Sequence, residues 1–175
     1  QGFGCRLLYF DAEELPQAEE HSLGITRMSL DDVLGQSDFV IMCLPLNDAT
    51  AHILNAERLR SMKSGAYLIN VSRGSTVGEG AVADAIETGH LAGYAADVFE
   101  LEDWALPERP RTVDPRLLAA DAPTLFTPHL GSAVARVRLE IEMDAARNVV
   151  QFLNDEVPDG AVNRAEMTRR VRSSS

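Results

Sequence analysis

Four side chains in this sequence have both the type and the setting to do chemistry. Arg73 lies in Asn70-Val71-Ser72-Arg73-Gly74, directly after an apolar run. A guanidinium at such a place can clamp an oxyanion through two parallel hydrogen bonds, a geometry that lysine lacks. The plainer reading is a surface arginine, although Gly-Ser after it puts it in a tight loop rather than on a helix face. His129 lies in Thr127-Pro128-His129-Leu130-Gly131-Ser132, again just past an apolar run. Imidazole exchanges protons near neutrality, so His129 is the candidate acid/base; a lone histidine is otherwise structural. Glu102 is a candidate carboxylate to orient that ring, a pairing that spacing alone leaves open. Asp11 ends the run Cys5-Arg6-Leu7-Leu8-Tyr9-Phe10. An acid there can accept hydrogen bonds from both hydroxyls of a nucleotide ribose and repel a 2′-phosphate, or it can simply cap the helix that follows. His21, His52 and His90 stand in helix or turn contexts and are expected in solvent. No HExxH, CxxC or EF-hand spacing occurs, so no metal site is expected.

These residues need a scaffold, and the alternation of short apolar runs with helical segments supplies one. Strands are expected at 5–10, Ile25–Met28, Phe39–Leu44, Ala66–Asn70, Gly93–Val98 and Thr124–Thr127. Between them the sequence predicts helices at Glu13–Glu20, after Ser29, from Asn55 through Met62, and from Gly80 to Thr88. A short helix near Leu117 and a long one over Ala133–Leu153 complete the set. Ser29 with Asp32 three residues on has the form of a capping box, and Ser64-Gly65 closes the Asn55 helix. Phe39–Leu44 is a continuous apolar run, as a strand buried on both faces reads. Strands alternating with helices imply a doubly wound parallel α/β sheet, which binds ligands beyond the carboxyl ends of its strands. Asp11, Asn70 to Arg73, Asp97 and His129 all fall there.

The chain has 175 residues, 45% of them apolar and 25% charged, enough for one packed domain with part of a second. We place the first over residues 1–149 and a returning segment over 150–175, its tail from Arg169 to Ser175 disordered. A net charge of −11 argues against nucleic-acid binding, which needs a basic face. Cys5 and Cys43 sit in apolar runs and are expected as buried thiols of a reducing compartment. No run reaches the ~20 apolar residues of a membrane span, and the chain reads as cytoplasmic. A glycine-rich phosphate-binding turn should lie ~20 residues before Asp11. Gly2-Phe3-Gly4 fits the end of a helix better, so the chain is expected to begin inside a domain, after that turn.

Three of these segments, Asn70-Val71-Ser72-Arg73-Gly74, Asp97-Val98-Phe99-Glu100-Leu101-Glu102 and Thr127-Pro128-His129-Leu130-Gly131, together resemble the signature of the D-2-hydroxyacid dehydrogenases. That resemblance implies a Rossmann-type NAD-binding domain and an enzyme. It makes Arg73 the binder of the substrate oxyanion, His129 the acid/base and Glu102, not Glu100, the carboxylate that orients it. Asp97 would contact the nicotinamide carboxamide, and Leu44, Pro45, Val71, Ser72, Gly131 and Ser132 would line the cofactor cleft. Most of that family reads Glu-Pro where this chain has Glu102-Asp103-Trp104. With Arg109-Pro110 and the Val137-Arg138-Leu139-Glu140 segment, this is similar to the branch that oxidises phosphite, the phosphonate dehydrogenases. That match adds Arg138 to the catalytic set, and Asp11-Ala12, in place of Glu-Ala, still favours NAD over NADP. The substrate is then a small anion, phosphite or a 2-hydroxy acid, in a homodimer that binds neither nucleic acid nor membrane. The alternatives are a 2-oxoacid reductase of the same family and a non-catalytic NAD(H)-sensing protein on the same fold.

Overall fold

In the computed structural model the central strands form from apolar runs, and β5 and β6 stop where the polar Asp97 and Thr127 begin. The structure describes residues 2–131 and 133–162. Strands β3 (Phe39–Met42), β4 (Ala66–Asn70), β5 (Leu91–Ala96) and β6 (Thr124–Phe126) make one parallel sheet in that order. Its register places Val40 beside Leu68 and Asn70 beside Ala96. Strands β1 (Leu7–Tyr9) and β2 (Ile25–Arg27) form a separate parallel pair. This is the parallel α/β, Rossmann-type arrangement that the alternation predicts.

The helices are α1 (Gln17–Leu23), α2 (Leu30–Gln36), α3 (Ala56–Ser61), α4 (Glu79–Glu87) and α5 (Ala135–Leu153). Ser29 caps α2 as expected, its hydroxyl accepting from the Asp32 amide at 3.1 Å. Asn55 caps α3 through the amides of Glu57 and Arg58, and Gly65 turns the chain with φ +80°. Helix α1 starts later than the expected Glu13, because Leu15 precedes a proline and is thereby steered away from helical backbone.

The core lies between one face of the four-stranded sheet and α2, α3 and α4. Leu34, Leu54, Leu59, Leu68, Val82 and Leu91 are at most 2% exposed in it. Each buried leucine contributes roughly 1.5–3 kcal/mol relative to an exposed one. The opposite face stays in solvent, with Phe39 63%, Ile41 61% and Leu125 70% exposed. The β3 run is therefore buried on one face only, against expectation. Its Val40 and Met42 are buried on the helix side, and the exposed Phe39 stacks on Tyr67 at 5.2 Å between centroids.

The cysteines also depart from expectation. Both are free and exposed, because Cys5 precedes β1 and Cys43 falls one residue beyond β3. Among the described residues, no helix is long and apolar enough to cross a membrane.

The chain divides into two compact units at the His129/Leu130 boundary. In the second, α5 buries none of its residues, and Leu139, Ile141 and Phe152 are all more than half exposed. Its charged residues pair along the helix, Arg136 with Glu140 at 2.8 Å and Arg147 with Asp144 at 2.6 Å. The amide of Gly160 and the side chain of Asp159 return to Asn148 and Gln151 on the helix. The expected disorder from Arg169 onward lies outside the described residues.

Candidate active site

The site is built at the carboxyl ends of β4 and β5. Asn70, the last residue of β4, is fully buried, and its side chain organises the loop that follows. Its amide nitrogen donates to the Arg73 carbonyl at 3.0 Å, and its oxygen accepts from both the backbone and the hydroxyl of Ser72. The Thr76 hydroxyl donates to the same Arg73 carbonyl at 2.7 Å. The Arg73 backbone is thus held from two sides while its guanidinium reaches solvent, folding back onto the Ser72 carbonyl at 2.7 Å.

Next comes a 3-10 turn, Gly74–Thr76, pressed against a second one, Glu100–Glu102. A β-carbon at Gly74 would fall 1.9 Å from the Phe99 carbonyl carbon, so only glycine permits this approach. Asp103 accepts the Ser75 amide at 2.7 Å, and Glu79 accepts the Glu100 amide at 2.8 Å. Glu79 is 2% exposed, and burial pushes its carboxyl up to about 7. Burial also raises Glu100, while His52 pulls the other way. His52 is not merely solvated, as expected: its Nε2 lies 2.6 Å from Glu100. His90 likewise has a partner, the Leu59 carbonyl at 3.0 Å from its Nε2.

Glu102 faces the other way. One oxygen accepts the Phe99 amide at 2.9 Å, and the other lies 2.6 Å from Nδ1 of His129. With Glu100 committed to His52, the two neighbouring glutamates hold different histidines. His129 has φ +55°, in the left-handed region that a residue with a β-carbon seldom adopts. Its neighbour Thr127 donates its hydroxyl to Asp97, whose own amide donates to the Asn70 carbonyl at 3.0 Å.

Leu44, Pro45, Val71 and Ser72, expected as the cleft lining, line one open cleft of about 690 Å³ together with Arg73, Cys43, Leu46 and Asp103. Asp11 and Ala12 are exposed just beyond β1, and Asp11 accepts the Glu13 amide at 3.0 Å, which is the plain turn-forming role. Gly131 and Arg138 belong to the second unit, Arg138 as the fourth residue of α5. Ser132 lies outside the described residues. Sequence reading missed Asp103, Glu79 and the His52–Glu100 pair. The one local signal was an acid directly after Glu102, where the pattern elsewhere has proline.

A cleft beyond parallel strand ends, lined by Leu44, Pro45, Leu46 and Val71 beside Ser72 and Arg73, fits one end of a dinucleotide. The fold and these residues define the NAD-binding domain of a dehydrogenase. The family described as "D-isomer specific 2-hydroxyacid dehydrogenase, NAD binding domain" matches residues 1–131, and the chain belongs to it.

Among its relatives is a glyoxylate reductase of Thermococcus kodakarensis, 38% identical over 164 residues, which cover 94% of this chain and 46% of that protein. Among solved structures, the holo form of Rhodotorula graminis D-mandelate dehydrogenase superposes with a TM-score of 0.78 at 26% identity. It covers 93% of this chain and 46% of that one. A D-lactate dehydrogenase of Aquifex aeolicus, complexed with NAD and lactic acid, has a TM-score of 0.76 at 27% identity, covering 89% and 48%. The chain thus spans about half the length of the relatives it matches.

Proposed function

We propose that this chain is the cofactor-binding half of an NAD-dependent oxidoreductase that interconverts a small 2-oxo acid, glyoxylate or a close homologue, with its 2-hydroxy acid. The observation that carries the reading is the Glu102–His129 pair at 2.6 Å beside a loop that presents Arg73 at the cleft. NADH, when held in the cleft, would supply a hydride for the carbonyl carbon. Arg73 holds the substrate carboxylate through two parallel hydrogen bonds and turns the carbonyl toward the histidine. Because Nδ1 of His129 faces Glu102, Nε2 is the nitrogen that exchanges the proton. It gives that proton to the carbonyl oxygen as the C=O becomes C–OH, and takes it back in the oxidative direction. Asp97, Leu44, Pro45, Val71 and Ser72 would hold the nicotinamide end, and Asp11 with Ala12 would hold the ribose.

A second reading has a specific observation behind it. Glu102-Asp103-Trp104 and the Arg138 segment resemble enzymes that oxidise phosphite, in which the same arginine would hold the oxyanion and His129 would deprotonate water. The relatives, named glyoxylate reductase, favour the 2-oxo acid. Absorbance at 340 nm decides between them in the full-length protein. NADH consumption with glyoxylate that is lost in Arg73→Ala and His129→Ala supports the first reading. NAD reduction with phosphite alone replaces it with the second, and NAD(H) binding without turnover of either points to a sensor.

A further inference from the structure

We infer that Asp103 is a positioning residue: it sets the spacing between the anion-binding Arg73 and the proton-exchanging Glu102–His129 pair. The inference rests on the proposed dehydrogenase reading and adds to it a residue that does not touch the reacting atoms. Arg73 and Glu102 sit on different turns, at the ends of different strands, and their separation has to be fixed by something that joins the two. Asp103 is next to Glu102 in the chain. Its carboxylate crosses to accept the amide of Ser75, two residues past Arg73, at 2.7 Å. It is 9% exposed and borders the same cleft as Arg73.

The other joints between these turns meet Glu100 or Phe99 rather than the segment beside Glu102: His52 gives its amide to the Ser75 carbonyl at 2.7 Å and its ring to Glu100. Gly74 abuts the Phe99–Glu100 peptide, and Glu79 holds the Glu100 amide from α4. Among the described residues, the Asp103 carboxylate ties the position beside the orienting carboxylate to the residue two beyond the guanidinium. A shielded amide-to-carboxylate bond is short and strong, and without its acceptor the Ser75 amide would be left unsatisfied in a buried setting. The turn would then shift to find another acceptor and take Arg73 with it. Displacements of about 1 Å at an anion clamp can cost on the order of 100-fold in rate.

The test is a double-mutant cycle in the full-length protein, with NADH and glyoxylate or with NAD and phosphite, whichever pair the wild type turns over. Asp103→Ala should lower kcat/KM by roughly 30-fold, through both a higher KM for the anion and a lower kcat. Its Kd for NADH, read by nucleotide fluorescence, should stay within about twofold. Asp103→Asn offers an amide oxygen to the same donor and should recover to within about threefold of wild type. In an Arg73→Lys background, where the two-pronged clamp is already lost, Asp103→Ala should cost less than about threefold, because coupled residues are not additive.

Asp103→Glu keeps the charge but moves the acceptor by one methylene. It should carry most of the loss, and it stands in if the alanine variant does not fold. A full loss that persists in the Arg73→Lys background overturns the inference, since Asp103 would then act elsewhere. An Asp103→Asn variant as impaired as the alanine overturns it in favour of charge. Unchanged kinetics in Asp103→Ala, with an active wild type, overturn this inference alone. A wild type that binds NADH but turns over neither anion overturns the dehydrogenase reading along with it.

Discussion

The carboxyl ends of β4 and β5 and the β1–β2 edge hold charged groups in opposite ways. At the first, the polar residues behind the site are buried: Asn70 and Thr76 are 0% exposed, Ser75 1% and Glu79 2%. Asn70 and Thr76 bond the backbone of the Arg73 loop and Glu79 bonds that of the neighbouring turn, so the exposed Arg73 projects from a held base. At the β1–β2 edge the strands have three residues each, none of them buried. Its polar contacts are between side chains in solvent, such as Arg27 with Glu14, which is 74% exposed. Such pairs contribute between about 0 and 1 kcal/mol. The difference teaches where precision resides. Groups that must align on a reacting atom stand on buried peptide contacts, and the acid that would hold a ribose stands on a surface turn.

The sharpest way to break the comparison is Gly74→Ala. The added carbon collides with the Phe99 backbone, which no rotamer can relieve, and we expect about 3 kcal/mol of lost stability. Activity should fall by roughly 100-fold where the protein still folds. A urea midpoint within error of wild type would show that the two turns are not in fixed contact.

Glu79→Gln comes next. The folded carboxyl titrates at about 7 against an ordinary value of 4.5, so the folded state prefers the protonated form. Its contribution is fully present below pH 4.5 and is lost as pH rises through 7. Such a shift corresponds to at most about 3 kcal/mol, and we expect about 2. Glutamine mimics the protonated acid, so the variant should gain that much on wild type between pH 4.5 and pH 8. Parallel pH profiles of urea stability for the two proteins would rule the account out.

The edge should respond more weakly. Asp11→Ala should weaken NADH binding by about tenfold, near 1.4 kcal/mol, and narrow the preference over NADPH. Unchanged fluorescence titrations with both nucleotides would leave Asp11 with its turn-forming role alone. Ser29→Ala removes the cap of α2 and should cost about 1 kcal/mol in urea unfolding with no effect on turnover. A loss of several kcal/mol there would mean that the edge is as tightly built as the site.

Much of this was legible because it is local. Arg73 and His129 stand out as polar residues directly after apolar runs, and the Ser29 and Asn55 caps follow from contacts within three residues. The pairing of Glu102 with His129, 27 residues apart, was only a candidate, and the structure brings the two together. The His52–Glu100 contact spans 48 residues and Ser75–Asp103 spans 28, and no periodicity reports on pairs so distant. The exposure of Phe39 and Ile41 escaped for a related reason. An apolar strand pattern states a preference for burial but does not say whether anything lies over that face.

By itself, then, the sequence determined the order of strands and helices, the caps that start them, and which side chains end up beyond strand ends. Each of these depends on backbone preferences and hydrophobic spacing within a few residues. The tertiary structure alone decided that Glu100 meets His52, and that Asp103 and Glu79 tie the two turns together. It also decided that Cys43 opens onto the cleft. Those outcomes depend on how parallel strands align in register and bring their terminal turns together, a long-range geometry that no local stretch of residues encodes.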